Sequence, residues 1–112
     1  MVIAIPLASG RLCDHFGHCE EFLLVTVDKS NREVTGSRSL DPPKHEPGVL
    51  PAWLSKMGCD LIIAGGMGQR AISLFNKSGV EVIVGVPSGQ PEDVILAYLN
   101  DTLESGVNLC DH

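Results

Sequence analysis

The sequence predicts an α/β fold with a mixed sheet, and three observations carry that expectation. Short continuous apolar runs, Leu61-Ile62-Ile63-Ala64 and Glu81–Val86, alternate with segments of helical periodicity in the second half. Runs of that kind mark buried parallel strands joined by right-handed crossovers. Two β-branched segments flank Asp28-Lys29-Ser30-Asn31, whose side chains favour a turn, and they read as an antiparallel hairpin.

Taken in order, Val2–Pro6 is an apolar strand ended by proline. Ala8–Cys19 is polar, contains Gly10 and Gly17, and reads as a loop with a short turn. Glu21–Asp28 and Glu33–Leu40 form the hairpin, the second strand more polar and therefore at the sheet edge. Asp41–Pro47 holds three prolines and excludes regular structure. Gly48–Met57 places Val49, Leu50, Trp53, Leu54 and Met57 at helical spacing, and Gly58 stops it. After the Leu61–Ala64 strand, Gly65-Gly66-Met67-Gly68 is a tight turn into a helix over Gln69–Lys77, which Gly79 ends. Beyond the Glu81–Val86 strand, Pro91 occupies the first turn of a last helix running to about Thr102. Gly106 breaks the pattern before a short tail.

At 112 residues the chain is expected to form one domain over 1–112, with a core that needs no staples. Fourteen acidic against eight basic side chains, net charge −6, argue against binding a phosphate backbone. One Trp and one Tyr do not build a base-stacking platform, so no nucleic-acid partner is expected. No apolar run approaches the roughly 20 residues that span a bilayer. The amino-terminal residues lack a basic region and a signal-length apolar stretch, so the expected location is the cytoplasm. Reducing cytosol disfavours disulfides between Cys13, Cys19, Cys59 and Cys110. Cys59 borders an apolar strand and reads as packing.

Three segments offer candidate metal-ligating residues. Cys13-Asp14-His15-Phe16-Gly17-His18-Cys19 concentrates two thiols and two imidazoles, the usual ligands of zinc, copper and iron–sulfur species. Its spacing matches no standard zinc motif, and the alternative is that one or two of these residues are buried spacers. His45 stands in a proline-stiffened loop, either as a ligand held at low entropic cost or as a solvent-facing residue beside Glu46. Cys110 and His112, two apart, project to one side of an extended tail; a frayed terminus is the alternative. The glycine turn Gly65–Gly68 opens a helix and offers N–H groups, with Arg70, to an anion. It lacks the Lys-Ser/Thr of a P-loop and the full dinucleotide spacing, and glycines also serve tight packing there. No nucleophile elbow, oriented Cys/His dyad or paired carboxylates are visible, so no enzyme activity and no catalytic residue are expected.

His15-Phe16-Gly17-His18-Cys19, His45-Glu46-Pro47-Gly48, Ile63-Ala64-Gly65-Gly66-Met67-Gly68-Gln69-Arg70-Ala71 and Cys110-Asp111-His112 occur in that order. As a set they resemble the dinitrogenase iron–molybdenum cofactor biosynthesis family, which includes NifX-like and NafY-like cofactor carriers and the carboxy-terminal region of NifB. The resemblance implies a ribonuclease-H-like three-layer α/β/α fold with a mixed five-stranded sheet. It implies binding, carriage or transfer of a metal–sulfur cluster or an iron–molybdenum cofactor precursor, work related to nitrogen fixation in part of the family. His15, Phe16, Gly17 and Cys19 match the first family motif; Gly65, Gly66, Gly68 and Ala71 match its glycine turn. The His-Glu-Pro-Gly and Cys-Asp-His segments are similar to stand-alone members associated with scaffold ATPases for metal clusters. The expected partners are therefore metallocluster assembly proteins, such ATPases among them, or an apo-acceptor. These residues include nothing like the radical-SAM half of NifB, so no radical chemistry is expected.

The expected site thus comprises His15, His18, Cys19, His45, Cys110 and His112 as metal ligands, with Gly65, Gly66, Met67, Gly68 and Arg70 against the cargo. Two other readings stay open. One is a small zinc- or other metal-binding regulatory or interaction module; the other is a thiol redox protein using Cys13 and Cys19.

Overall fold

The computed structural model describes residues 1–43 and 48–106. Among these, strands and helices follow as β1 (Val2–Ala8), β2 (Arg11–Leu12), β3 (Glu21–Asp28), β4 (Glu33–Leu40), α1 (Val49–Lys56), β5 (Leu61–Ile63), α2 (Gln69–Lys77), β6 (Glu81–Ile83) and α3 (Pro91–Leu99). The main path across the sheet is β4-β3-β1-β5-β6, with β2 paired to β1 beside it. β1, β5 and β6 run parallel; β3 is antiparallel to both β1 and β4.

The period-2 alternation of the strands divides the apolar residues between two cores. Ala4, Phe22, Leu24 and Ile62 face one way and pack with Leu50, Leu54 and Phe75 of α1 and α2. Ile3, Ile5, Val25, Val27, Leu61 and Ile63 face the other way and pack with Val94, Ile95 and Leu99 of α3. The sheet is therefore a middle layer with two helices on one face and one on the other. No described helix is long and apolar enough to cross a membrane.

The hairpin and α2 match their expected bounds, and α1, β5, β6 and α3 come out slightly shorter than the apolar patterns. Two expectations are corrected. Among the described residues the sheet has six strands rather than five, because the segment expected to be a loop with a short turn contains β2, which pairs Leu12 with Leu7 and Arg11 with Ala8. Pro6 also does not end β1, which continues to Ala8. Proline is tolerated there because β5 pairs with β1 only at Ile3 and Ala4, so no parallel ladder needs its N–H. Its carbonyl instead accepts the Cys13 N–H at 2.9 Å.

This topology brings the Cys/His loop and the glycine turn to one edge. The parallel strands β1, β5 and β6 all end at the same edge of the sheet. β4 ends there too, since Leu40 pairs with Phe22 and Phe22 pairs with Pro6. The Cys/His loop, the glycine turn and the chain after β4 all leave the sheet at that edge.

Candidate functional site

The Cys/His loop is tied down by backbone hydrogen bonds along its length. Leu12 N–H donates to the Gly89 carbonyl at 2.9 Å, and Ser88 Oγ donates to the Leu12 carbonyl at 2.7 Å. Phe16 N–H donates to the Gly66 carbonyl at 2.8 Å, and Glu20 N–H to the Leu7 carbonyl at 2.8 Å. Phe16–His18 form a 3-10 turn. The Phe16 side chain anchors that turn in the core, edge-to-face with Phe75 at 5.5 Å and Phe22 at 6.0 Å between centroids. A buried aromatic thus holds the loop while its neighbours His15 and His18 stay exposed. Their rings lie 5.7 Å apart in an edge-to-face arrangement.

The thiols behave differently from the imidazoles. Cys13 and Cys19 are buried in the core beneath the loop. Cys13 Sγ donates to the His15 carbonyl at 2.8 Å. Burial, reinforced by the neighbouring Cys13 and only partly offset by a backbone hydrogen bond, pushes the Cys19 thiol up from 9.0 to about 12. Cys59 is likewise buried, its Sγ donating to the Leu61 carbonyl at 3.2 Å, and burial raises it to about 11. The expectation that Cys59 is packing agrees with this placement. The density of Cys in the loop reads differently with the structure in view, since both loop thiols fill core space.

The glycine turn abuts the Cys/His loop directly. A Cβ at Gly65 would lie 2.9 Å from the carbonyl oxygens of both Cys13 and Asp14. Only glycine allows that approach. His15 and Gly66 form a parallel bridge at the same point. Gly68 is the N-cap of α2 without a side-chain cap, and exposed Arg70 stands in the first helical turn. Met67 is fully buried, so its side chain packs in the core and only its backbone lies at the turn.

The segment carrying His15, His18 and Cys19 therefore meets the turn carrying Gly65, Gly66 and Gly68 through the His15–Gly66 bridge, with Cys19 buried and Arg70 exposed in the helix that follows. His45, Cys110 and His112 lie outside the described residues. Among the described residues, no group of three or more His, Cys, Asp or Glu side chains is arranged to hold a metal ion. Sequence reasoning passed over Gly85 and Gly106, treating the first as strand and the second as a mere break. Gly85 N–H donates to the Gly65 carbonyl at 2.6 Å, and Gly106 N–H donates to the Gly85 carbonyl at 2.8 Å. A lone glycine inside the apolar run Val82–Val86 was the available signal, since such a glycine marks close backbone approach.

Comparison with known proteins agrees with the residue pattern. Residues 1–101 match the family described as dinitrogenase iron-molybdenum cofactor. The uncharacterized protein MJ0580 of Methanocaldococcus jannaschii is 34% identical over 86 residues, 73% of this chain and 72% of that protein. The crystal structure of PH0822 superposes with a TM-score of 0.86 at 30% identity, covering 94% of each chain. The apo form of the orange protein from Desulfovibrio gigas superposes with a TM-score of 0.72 at 18% identity, covering 96% of this chain and 93% of that one, a likeness of fold. With a family match that spans both strands and helices of the site, the chain belongs to the dinitrogenase iron-molybdenum cofactor family.

Proposed function

We propose that this protein binds a metal–sulfur cluster, or an iron–molybdenum-type cofactor precursor, as cargo and passes it to an acceptor during metallocluster assembly. The observation that carries the reading is the backbone contact between the Cys/His loop and the glycine turn, Gly65 against Cys13 and Asp14. It joins the backbone at His15 to the turn that opens α2, whose N-terminus has no side-chain cap, beyond the carboxyl ends of parallel strands. Imidazole suits the metal, while N–H groups and a guanidinium suit the negative charge of a sulfide-bearing cluster. Ligands in such folds gather outside the carboxyl ends of the strands.

In this reading His15 and His18 meet the cargo first. Cys19 ligates only after losing a proton that its burial holds tightly, so its entry is coupled to proton release. His45, Cys110 and His112 complete the donor set, and Gly65, Gly66, Gly68 and Arg70 line the anion side. The backbone of Met67 belongs to that lining. Release is by ligand exchange to the acceptor, a metallocluster assembly protein such as a scaffold ATPase, or the apo-protein itself. The reading includes a cytoplasmic location, no catalytic residue, and a ribonuclease-H-like classification for the three-layer arrangement. Family membership and the existence of an apo form of the orange protein support the carrier role.

The exposed His15–His18 pair also favours a second reading, a colourless zinc-type module that needs no thiolate. Anaerobic reconstitution with iron, molybdate and sulfide, followed by metal and sulfide analysis, separates the two. The carrier binds metal and acid-labile sulfide together, absorbs in the visible and yields them to an acceptor; Cys19→Ala and Cys110→Ala lower the loading. Colourless protein that neither takes up nor releases a cluster would overturn the carrier role, and unchanged metal in both variants would remove the thiol ligands.

A further inference from the structure

We propose that the open side of the α3 face is a docking groove for an amphipathic helix of a partner protein, apolar on the face it buries and basic along its flank. The groove lies between the hairpin and α3, away from the Cys/His loop, so it stands or falls independently of the cargo reading. The first observation is where exposure occurs. Among the described residues, two large apolar side chains are exposed, Val34 at 49% and Leu96 at 54%. They belong to different elements, yet both line one groove of about 310 Å³ between β3, β4 and α3. Leu23 and Val25 line it from β3, and Ile95 lines it from α3. Single apolar residues scattered over a surface are ordinary; two that converge on an apolar groove mark a contact surface.

The layering of the fold sets the shape that fits. Two helices, α1 and α2, pack on one face of the sheet, and α3 alone packs on the other. A helix is about 10 Å across and strands lie about 4.8 Å apart, so one helix covers about two strands. α3 sits against Ile3 and Ile5 of β1 and Leu61 and Ile63 of β5, and the β3–β4 side of that face is left open. The gap beside α3 is therefore about one helix wide. A helix laid in it meets the groove with a single apolar stripe at i, i+3, i+4 and i+7.

Charge decides between occupants. Among the described residues, Glu92 is the one ionisable side chain that lines the groove, and it is exposed. Glu21 pairs with Leu7 of the α3 cluster and so lies on the same sheet face. Arg38 pairs with Leu24 and lies on the opposite face, and Glu33 alternates to that face from Val34, which pairs with Val27 of the α3 cluster. Lys29 stands over the Tyr98 ring at 5.6 Å. The groove is thus apolar with an acidic rim, on a chain of net charge −6. A second copy would bring a second Glu92 and the same net charge to the contact, whereas Lys or Arg on a partner helix complements both.

Three synthetic peptides of about 18 residues, long enough for helix formation, test the groove by titration into the isotope-labelled full chain. One carries a Leu stripe at helical spacing with Lys on its flanks, one the same stripe with Glu in place of Lys, and one the Lys composition scrambled to break the stripe. The Lys peptide is expected to shift the amide signals of Leu23, Val34 and Leu96 and to leave Phe16 and Gly66 at native positions. Leu96→Ala and Val34→Ala, both at exposed positions, each weaken it about 10-fold. The Lys peptide binds more tightly than the Glu peptide, and Glu92→Gln or added salt narrows that difference. No shift with the Lys peptide, equal binding of the scrambled peptide, or affinity unchanged in both alanine variants overturns the docking groove. Equal binding of the Lys and Glu peptides overturns the basic partner. Sedimentation of the peptide-free chain as a dimer that Leu96→Ala dissociates assigns the groove to a second copy and overturns the partner helix.

Discussion

At the scale of the residue, the buried thiols set a pH dependence whose sign follows from their environment. Cys19 is 6% exposed and titrates at about 12 in the folded chain against 9.0 unfolded. Between those values the unfolded chain has released a proton that the folded chain still holds. Stability is thus fully present below pH 9 and falls as pH rises toward 12, by up to about 1.4 kcal/mol per pH unit for this thiol. Cys59 contributes in the same direction between 9.0 and about 11. Urea unfolding at pH 8, 9.5 and 10.5 should show a stability decline that is shallower in Cys19→Ala than in the native chain. Equal slopes in the two proteins would mean that the folded thiol is not held protonated. His15 and His18, one residue either side of the Phe16–Gly17 pair, escape such burial because Phe16 takes the core position.

At the scale of the element, the contact between glycine turn and Cys/His loop is where a small change has a large effect. Gly65→Ala puts a methyl 2.9 Å from two carbonyl oxygens of main chain that is pinned on both sides. Neither can give way cheaply, so the substitution should cost about 1–3 kcal/mol and displace the loop. Denaturation midpoints and the His15 and His18 ring resonances measure the two effects; a native midpoint with unmoved rings would show that the approach is looser. This contact was only half legible in the sequence. The glycine turn, the hairpin and the helices announce themselves through periodicity and stop signals, because local chemistry fixes them. β2 did not, because Arg11 and Leu12 form a strand only by borrowing partners from β1 and from Ser88–Gly89, 76 residues away in the case of Leu12 and Ser88. The burial of Cys13 and Cys19 was hidden for the same reason: a loop wedged between Phe22, Met67 and Phe75 has a core side that its own composition does not declare. That the Cys/His loop, the glycine turn and the end of β4 share one edge could not be seen in the sequence. It depends on β4 ending at the same edge as β1, which is a property of strand order.

At the scale of the whole molecule, the two cores divide the labour between holding the fold and holding the site. Cys13, Phe16, Cys19, Met67 and Phe75 belong to the cluster under α1 and α2, so that core continues into the loop. The cluster under α3 reaches the loop through Leu12 and is otherwise remote from the His15–His18 turn. Phe75 and Ile95 are both essentially buried, one in each cluster. Ile95→Val removes one methylene and should cost about 0.5–1.5 kcal/mol. Phe75→Leu removes the ring against which Phe16 packs at 5.5 Å and should cost on the order of 1–3 kcal/mol. Stability alone would rank them as larger and smaller versions of one defect. The layering gives a sharper expectation, because packed cores transmit a volume change only to their own contacts. Phe75→Leu should shift the Phe16 amide and the His15 and His18 ring signals and lower metal uptake. Ile95→Val should leave all of these at native values while still lowering the unfolding midpoint. Comparable shifts in the two variants would show one mechanically continuous core and remove the division between the faces. If the division holds, the α3 face can absorb sequence change without touching the cargo edge, whereas the α1–α2 face cannot.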